Sequence, residues 1–177
     1  MHNRRYRCSI LVFLCTLYLG SFTACNPLLN FGTIVQGRFY RSAQPDRDDL
    51  KYYAKKYKIR TILNLRFQRN IESFEVSFAN KKGIQFISIP MDPDEPPTPE
   101  QLNQYFDLLL NGENYPIWMH CKGGADRTGI MAALYRIEFL GWSKNDAITE
   151  MISFFHFPPA HPNLIDFIHA YDSISKK

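Results

Sequence analysis

Between Cys121 and Arg127 the chain brings together a thiol, two glycines and a guanidinium, in the stretch Ile-Trp-Met-His-Cys-Lys-Gly-Gly-Ala-Asp-Arg-Thr-Gly that fills positions 117–129. An apolar run ending at His120 predicts a buried strand, and the apolar-periodic run after Thr128 predicts a helix, so the residues between form a strand-to-helix turn. Gly123 and Gly124 let the backbone take positive φ and approach a ligand closely, so that successive N–H groups converge on one point. The following helix aims its free N–H groups at the same point, which suits an anion such as phosphate. Lys122, Gly123, Gly124, Ala125, Asp126, Arg127 and Thr128 are therefore the expected phosphate-binding residues. Cys121 sits at the base of this cradle, where positive potential stabilises the thiolate, the nucleophilic form of the side chain. Arg127 is a planar fork that keeps its charge and can hold two phosphoryl oxygens at once.

His120-Cys121, five residues, then Arg127-Thr128, together with the preceding apolar strand, the paired glycines and Gly129, resembles the signature of the cysteine-dependent protein tyrosine and dual-specificity phosphatases. Two further segments, Phe39-Tyr40-Arg41-Ser42-Ala43-Gln44-Pro45 and Ile62-Leu63-Asn64-Leu65-Arg66, are similar to parts of bacterial and fungal atypical dual-specificity phosphatases. The likeness runs from about Thr33 to the C-terminus. It implies hydrolysis of a phosphate monoester in two steps, with Cys121 attacking phosphorus and Arg127 holding its oxygens. It also implies a mobile loop whose aspartic acid protonates the leaving oxygen. Asp92 and Asp94 are both eligible, with Asp92 favoured as nearer the strand end. Asp126 is a third candidate, since myotubularin-like and some bacterial lipid-directed phosphatases also carry Asp before the arginine; a structural role in the turn is its alternative. Thr128 is expected to reach the sulfur, and His120 to orient the turn by hydrogen bonds. Lys122 resembles the lysine after the nucleophile in some phosphoinositide phosphatases. Phosphorylated proteins, phosphorylated lipids and inositol phosphates all remain open as substrates. Competing readings are an idle phosphate-binding module, or a sulfur-transfer or arsenate-reducing enzyme; the lack of a second cysteine in the domain disfavours reduction through an internal disulfide.

The elements around this turn alternate. Residues 33–35 and 38–40 read as a hairpin about Gln36-Gly37, followed by a helix over 48–57, a strand over 61–65, a helix over 72–82 stopped by Gly83, and a strand over 85–89. Residues 90–99 hold Pro90, Pro93, Pro96, Pro97 and Pro99 and predict a stiff loop. Thr98-Pro99-Glu100-Gln101 has the capping-box pattern and opens a helix with Leu102, Phe106, Leu109 and Leu110 on its core side. After the phosphate turn, Ile130, Leu134 and Ile137 give a helix its core face and Gly141 ends it. Ser143 and Asp146 open another helix bearing Ile148, Met151, Ile152 and Phe155, and a last helix spans 163–174. This rhythm predicts an α/β fold, a central, mostly parallel sheet flanked by helices on both faces. Arg41 and Arg66 end predicted strands, where ligands gather in such sheets; surface or structural ion pairs are the alternative.

Residues 1–24 form a leader in which Arg4, Arg5 and Arg7 precede an uncharged, mostly apolar run, as an export signal or membrane anchor requires. Its end, Phe22-Thr23-Ala24-Cys25, resembles the bacterial lipoprotein signal in which the cysteine is lipidated. A cleaved secretory signal, an uncleaved anchor and a buried core helix are the alternatives. Residues 25–32 read as a linker and 33–177 as the phosphatase domain. The expected location is thus outside the cytoplasm, as a membrane-anchored lipoprotein or a periplasmic or secreted protein. The leader holds three of the 21 Lys+Arg and none of the 17 Asp+Glu, so the rest carries 18 against 17, a net of +1. That balance gives no support to nucleic-acid binding. Of the 4 cysteines only Cys121 lies in the domain. No disulfide framework, no metal-ligand spacing and no cofactor motif is evident.

Overall fold

The computed structural model describes residues 29–173; the leader, with Cys25, and residues 174–177 lie outside them. Five strands form one sheet: β1 (Gly32–Val35), β2 (Phe39–Ser42), β3 (Thr61–Asn64), β4 (Gln85–Ser88) and β5 (Ile117–His120), in the order β1-β2-β5-β3-β4. Only β1 runs antiparallel to its neighbour. The strand that leads into the phosphate turn is therefore the middle one, paired on both edges.

Side-chain parity along the strands sorts the molecule into two layers. Phe39, Leu63, Ile117 and Met119 face helices α3 (Pro99–Leu110), α4 (Asp126–Leu140), α5 (Lys144–Ser153) and α6 (Pro162–Ala170). Tyr40, Ile62 and Trp118 face α1 (Arg47–Lys56) and α2 (Ser73–Lys82). Helices on both faces of a mostly parallel sheet are what the sequence predicts. Local chemistry sets their ends. Asp46 and Asp49 form a capping box at the start of α1, and Gly83 at φ +65° closes α2. Thr98 and Gln101 form the predicted box on α3, with Pro99 in its first turn. Gln101 has a second use: its Nε2 donates to the Pro90 carbonyl at 2.6 Å and so closes the proline loop end to end.

Several expectations shift. Leu110 is 73% exposed, the buried face of α3 being Tyr105, Phe106, Leu108 and Leu109. Ile152 and Phe155 are exposed, and α5 ends at Ser153, before Phe155. The last helix stops at Ala170 because Tyr171 and Ser173 turn to donate to the two carboxylate oxygens of Glu138. The linker reading of 25–32 does not hold at its far end. Phe31 stacks with Tyr53 and Tyr57 at ring-centroid distances of 4.6 and 5.2 Å, and β1 begins at Gly32. Among the described residues no helix is long and apolar enough to cross a membrane.

Candidate active site

β5 ends at His120 and α4 begins at Asp126, so Cys121 to Ala125 form the turn between them. Cys121 is buried, and the Gly124 N–H donates to its Sγ at 3.2 Å. The loop's peptides are held from outside, carbonyl by carbonyl. Cys121 O lies 3.3 Å from Nδ1 of His120. Lys122 O accepts from the Gln44 N–H at 3.1 Å. Gly123 O accepts from Asn30 Nδ2 at 2.8 Å, and Gly124 O from Arg41 at 2.7 Å. In a trans peptide the carbonyl and the next N–H point opposite ways. Tying these four carbonyls outward therefore turns the N–H groups of Lys122, Gly123, Gly124 and Ala125 toward the interior of the loop, where the Gly124 N–H meets the sulfur. That is an anion cradle with a thiol at its base.

Gly124 is required twice over. Its φ is +71°, and a Cβ there would stand 2.7 Å from the backbone of Ser42 and Ala43. Gly123 is different: its φ is not positive, and a Cβ would meet open space. Both glycines were expected to supply positive φ; only the second does.

Arg127 is buried in the first turn of α4, and its guanidinium reaches the carbonyls of Leu65 and Met91 at 3.5 and 3.4 Å. Those two residues follow the ends of β3 and β4, so the arginine is aimed by the C-terminal edge of the sheet. Thr128 is fully buried and its hydroxyl has no hydrogen-bond partner; the expected bond to the sulfur is not made. His120 does orient the turn. Its Nε2 meets the Glu75 carboxylate at 2.5 Å, with both side chains fully buried. Glu75 also accepts from Asn64 and Gln44, each at 3.2 Å.

Arg41 and Arg66 have separate duties. Arg41 is fully buried, bonded to the loop at Gly124 O, ion-paired with Glu150 at 3.1 Å, and stacked 4.0 Å from the Phe154 ring. Burial pushes its guanidinium down from the ordinary arginine range, against the pull of Glu150. Glu150 is shared, its other oxygen binding Arg136 at 2.8 Å. Arg66 bonds Gln44 at 2.7 Å and pairs with Glu72 at 3.6 Å, bracing the loop at one remove.

The three acid candidates part company. Asp126 bonds His156 Nδ1 at 2.8 Å, a buried histidine from the α5–α6 connection. Asp94 meets His161 of the same connection at 3.3 Å, and Asn163 donates to its carbonyl at 2.6 Å. Asp92 is exposed, accepts from the Asp94 N–H at 2.9 Å, and directly follows Met91, whose carbonyl touches Arg127. The sequence reading missed Asn30, Gln44, Glu75, Arg136, Glu150 and His156. A glutamate in line with Ala79 on the buried stripe of α2 was the one legible hint. Among the described residues there is no group of three or more His, Cys, Asp or Glu side chains that could hold a metal ion.

Residues 26–177 match the model of the tyrosine phosphatase family. The chain is 30% identical over 112 residues to the dual specificity protein phosphatase TpbA of Pseudomonas aeruginosa strain UCBPP-PA14, covering 63% of this chain and 49% of that one. It is 28% identical over 150 residues to the inositol diphosphatase SIW14 of Saccharomyces cerevisiae, covering 82% of this chain and 52% of that one. The crystal structure of the core catalytic domain of SIW14 in complex with citrate superposes with a TM-score of 0.73 at 28% identity, over 82% of this chain and 87% of that one. The chain thus spans about half the length of the curated relatives it matches.

Proposed function

This chain belongs to the tyrosine phosphatase family, and from that premise we propose that it hydrolyses phosphate monoesters through a phosphocysteine intermediate. The observation that carries the reading is the loop itself: consecutive carbonyls tied outward, consecutive amides turned in, one of them on the Cys121 sulfur. Cys121 thiolate attacks phosphorus while the amides and Arg127 hold the equatorial oxygens. Asp92 gives its proton to the departing oxygen, then takes one from the water that attacks the phosphocysteine. Asp94 and Asp126 are engaged by histidines, which favours Asp92 for that duty. Thr128, with its unpartnered hydroxyl, is placed to serve an oxygen or the sulfur once substrate is bound.

Proteins phosphorylated on tyrosine, serine or threonine are the favoured substrates. Asp92, Asp94 and Glu95 are exposed carboxylates in the segment after Met91, whose carbonyl meets Arg127, and Lys122 is the exposed cation of the turn. That balance suits one phosphoryl group better than a ring of them. Inositol phosphates are the second reading, supported by Lys122 and by the inositol diphosphatase relative. The basic, apolar leader supports export, and Cys25 supports a lipid anchor that would hold the enzyme at a membrane; the family match beginning at residue 26 is consistent with a leader apart from the domain. The test is phosphate release from an aryl phosphate by the full chain, in chelator and reductant. Wild type should turn over, and Cys121→Ser should bind phosphate equally well with no turnover. Turnover retained by Cys121→Ser would refute the reading.

A further inference from the structure

The connection after α5 alternates between the site and solvent. Phe154 lies under Arg41 and its carbonyl accepts from Asn30 at 3.1 Å; His156 is buried against Asp126. Between and beyond them Phe155 and Phe157 are 74% and 64% exposed. Phe155 has φ +66°, a left-handed conformation that glycine or asparagine takes readily and a bulky aromatic rarely does. That conformation closes α5, the Phe155 and His156 N–H groups returning to the Ile152 and Met151 carbonyls at 3.0 and 3.3 Å, and it leaves the Phe155 ring out in solvent. Leu29, 66% exposed, precedes Asn30, whose side chain bonds both Phe154 O and the phosphate loop at Gly123 O. Three exposed apolar side chains thus adjoin in sequence the residues that contact the loop, Arg41 and the first turn of α4.

We propose that the edge bearing them, with Phe155 and Phe157 at its tip, docks on a phospholipid bilayer, so that the active site works facing the membrane. The inference rests on the proposed N-terminal tether. Asn30, fixed to the loop, is five residues from Cys25. At roughly 3.3–3.6 Å per extended residue, that segment reaches at most about 18 Å. A domain of this size has a radius of gyration of about 15 Å, hence a diameter near 40 Å. A tether so short, starting at the rim of the site, cannot let the domain present its far side to the bilayer. Aromatic rings at that rim are the side chains that lodge at a lipid–water interface.

The experiment uses the full chain reconstituted with zwitterionic phospholipid vesicles whose acyl chains are brominated. Tryptophan introduced by Phe155→Trp or Phe157→Trp should lose at least half of its emission, measured against the wild-type background; Leu110→Trp, an equally exposed position at the end of α3, should lose none. Phe155→Asn with Phe157→Ser should leave turnover of a soluble aryl phosphate within twofold of wild type and slow hydrolysis of a vesicle-borne phosphopeptide by tenfold or more. Co-sedimentation with vesicles but no quenching at 155 or 157 overturns the docking edge and leaves the tether standing. Failure to sediment overturns both.

Discussion

Arg41→Met tests whether the cradle is held from outside. The substitution keeps an unbranched apolar stem and removes the fork, and with it the bond to Gly124 O at 2.7 Å, the pair with Glu150 at 3.1 Å and the guanidinium's stacking on Phe154. A hydrogen bond from a charged donor is worth about 1.5–3 kcal/mol. Removing one partner of a buried ion pair costs about 3–5 kcal/mol when the other is left alone. Glu150 is not left alone, since Arg136 still holds it at 2.8 Å, and burial already works against the Arg41 charge. The two losses together then come to about 3–4 kcal/mol. At roughly 2–4 °C per kcal/mol for a chain of this length, the melting midpoint should fall by about 6–16 °C. The kinetic effect is separate: with its carbonyl freed, the Gly124–Ala125 peptide can rotate, and a misplacement near 1 Å costs about a hundredfold in rate. Urea unfolding gives the first quantity, and aryl phosphate kinetics well below the variant's midpoint give the second. A double-mutant cycle with Glu150→Gln should show coupling above about 1 kcal/mol. Coupling near zero together with unchanged kcat would show that Arg41 braces nothing.

Gly124→Ala should lose about 1–2 kcal/mol to its left-handed backbone alone, more from the collision with Ser42 and Ala43, and should turn over at least tenfold more slowly than Gly123→Ala; equal rates would mean the loop gives way freely. Asp92→Asn should slow alkyl phosphates far more than aryl phosphates with good leaving groups, because protonation matters most for a basic alkoxide. If Asp94→Asn or Asp126→Asn alone shows that dependence, the acid is misassigned. His156→Gln should raise KM for a phosphoester several-fold with a smaller change in kcat, as Asp126 loses the partner at 2.8 Å that engages its carboxylate; an unaltered KM would make the pair merely structural.

The motif, the alternation of elements and the capping box of α3 were readable because they are local: a strand's parity, a proline's fixed φ and a threonine three residues before a glutamine need no partner elsewhere. Parity carries further than the sequence reading took it. Phe39 and Arg41 share a face, as do Ile62 and Asn64, and Trp118 and His120. Given that Trp118 packs toward α1 and α2, His120 must point that way too, and Asn64 with it, which is where Glu75 waits. Arg41 must point to the opposite layer, where α5 supplies Glu150. What parity cannot give is the partner itself. Glu150 is separated from Arg41 by 109 positions, and Asn30 from Gly123 by 93. Helix ends were misjudged for a similar reason. The last helix stops where it does because Glu138 captures Tyr171 and Ser173, a tertiary contact without trace in local propensity.

The braces explain why the nucleophile's own motif is insufficient to make a site. A glycine-rich turn is free to swing its peptides, and nothing within residues 121–127 forces four amides inward. Three of the four carbonyls are tied by Asn30, Arg41 and Gln44, which lie in or beside the β1–β2 hairpin. The fourth faces His120, fixed in turn by Glu75. Each brace is a donor that would otherwise have to be desolvated at a cost, so burying it against a loop carbonyl satisfies both groups at once. The same logic applies to the shared Glu150, whose two oxygens each hold one buried guanidinium, Arg41 and Arg136, and whose single charge offsets one of theirs. Because Asn30 and the hairpin that follows it order the loop, the first described residues shape the active site as much as the residues of the turn do.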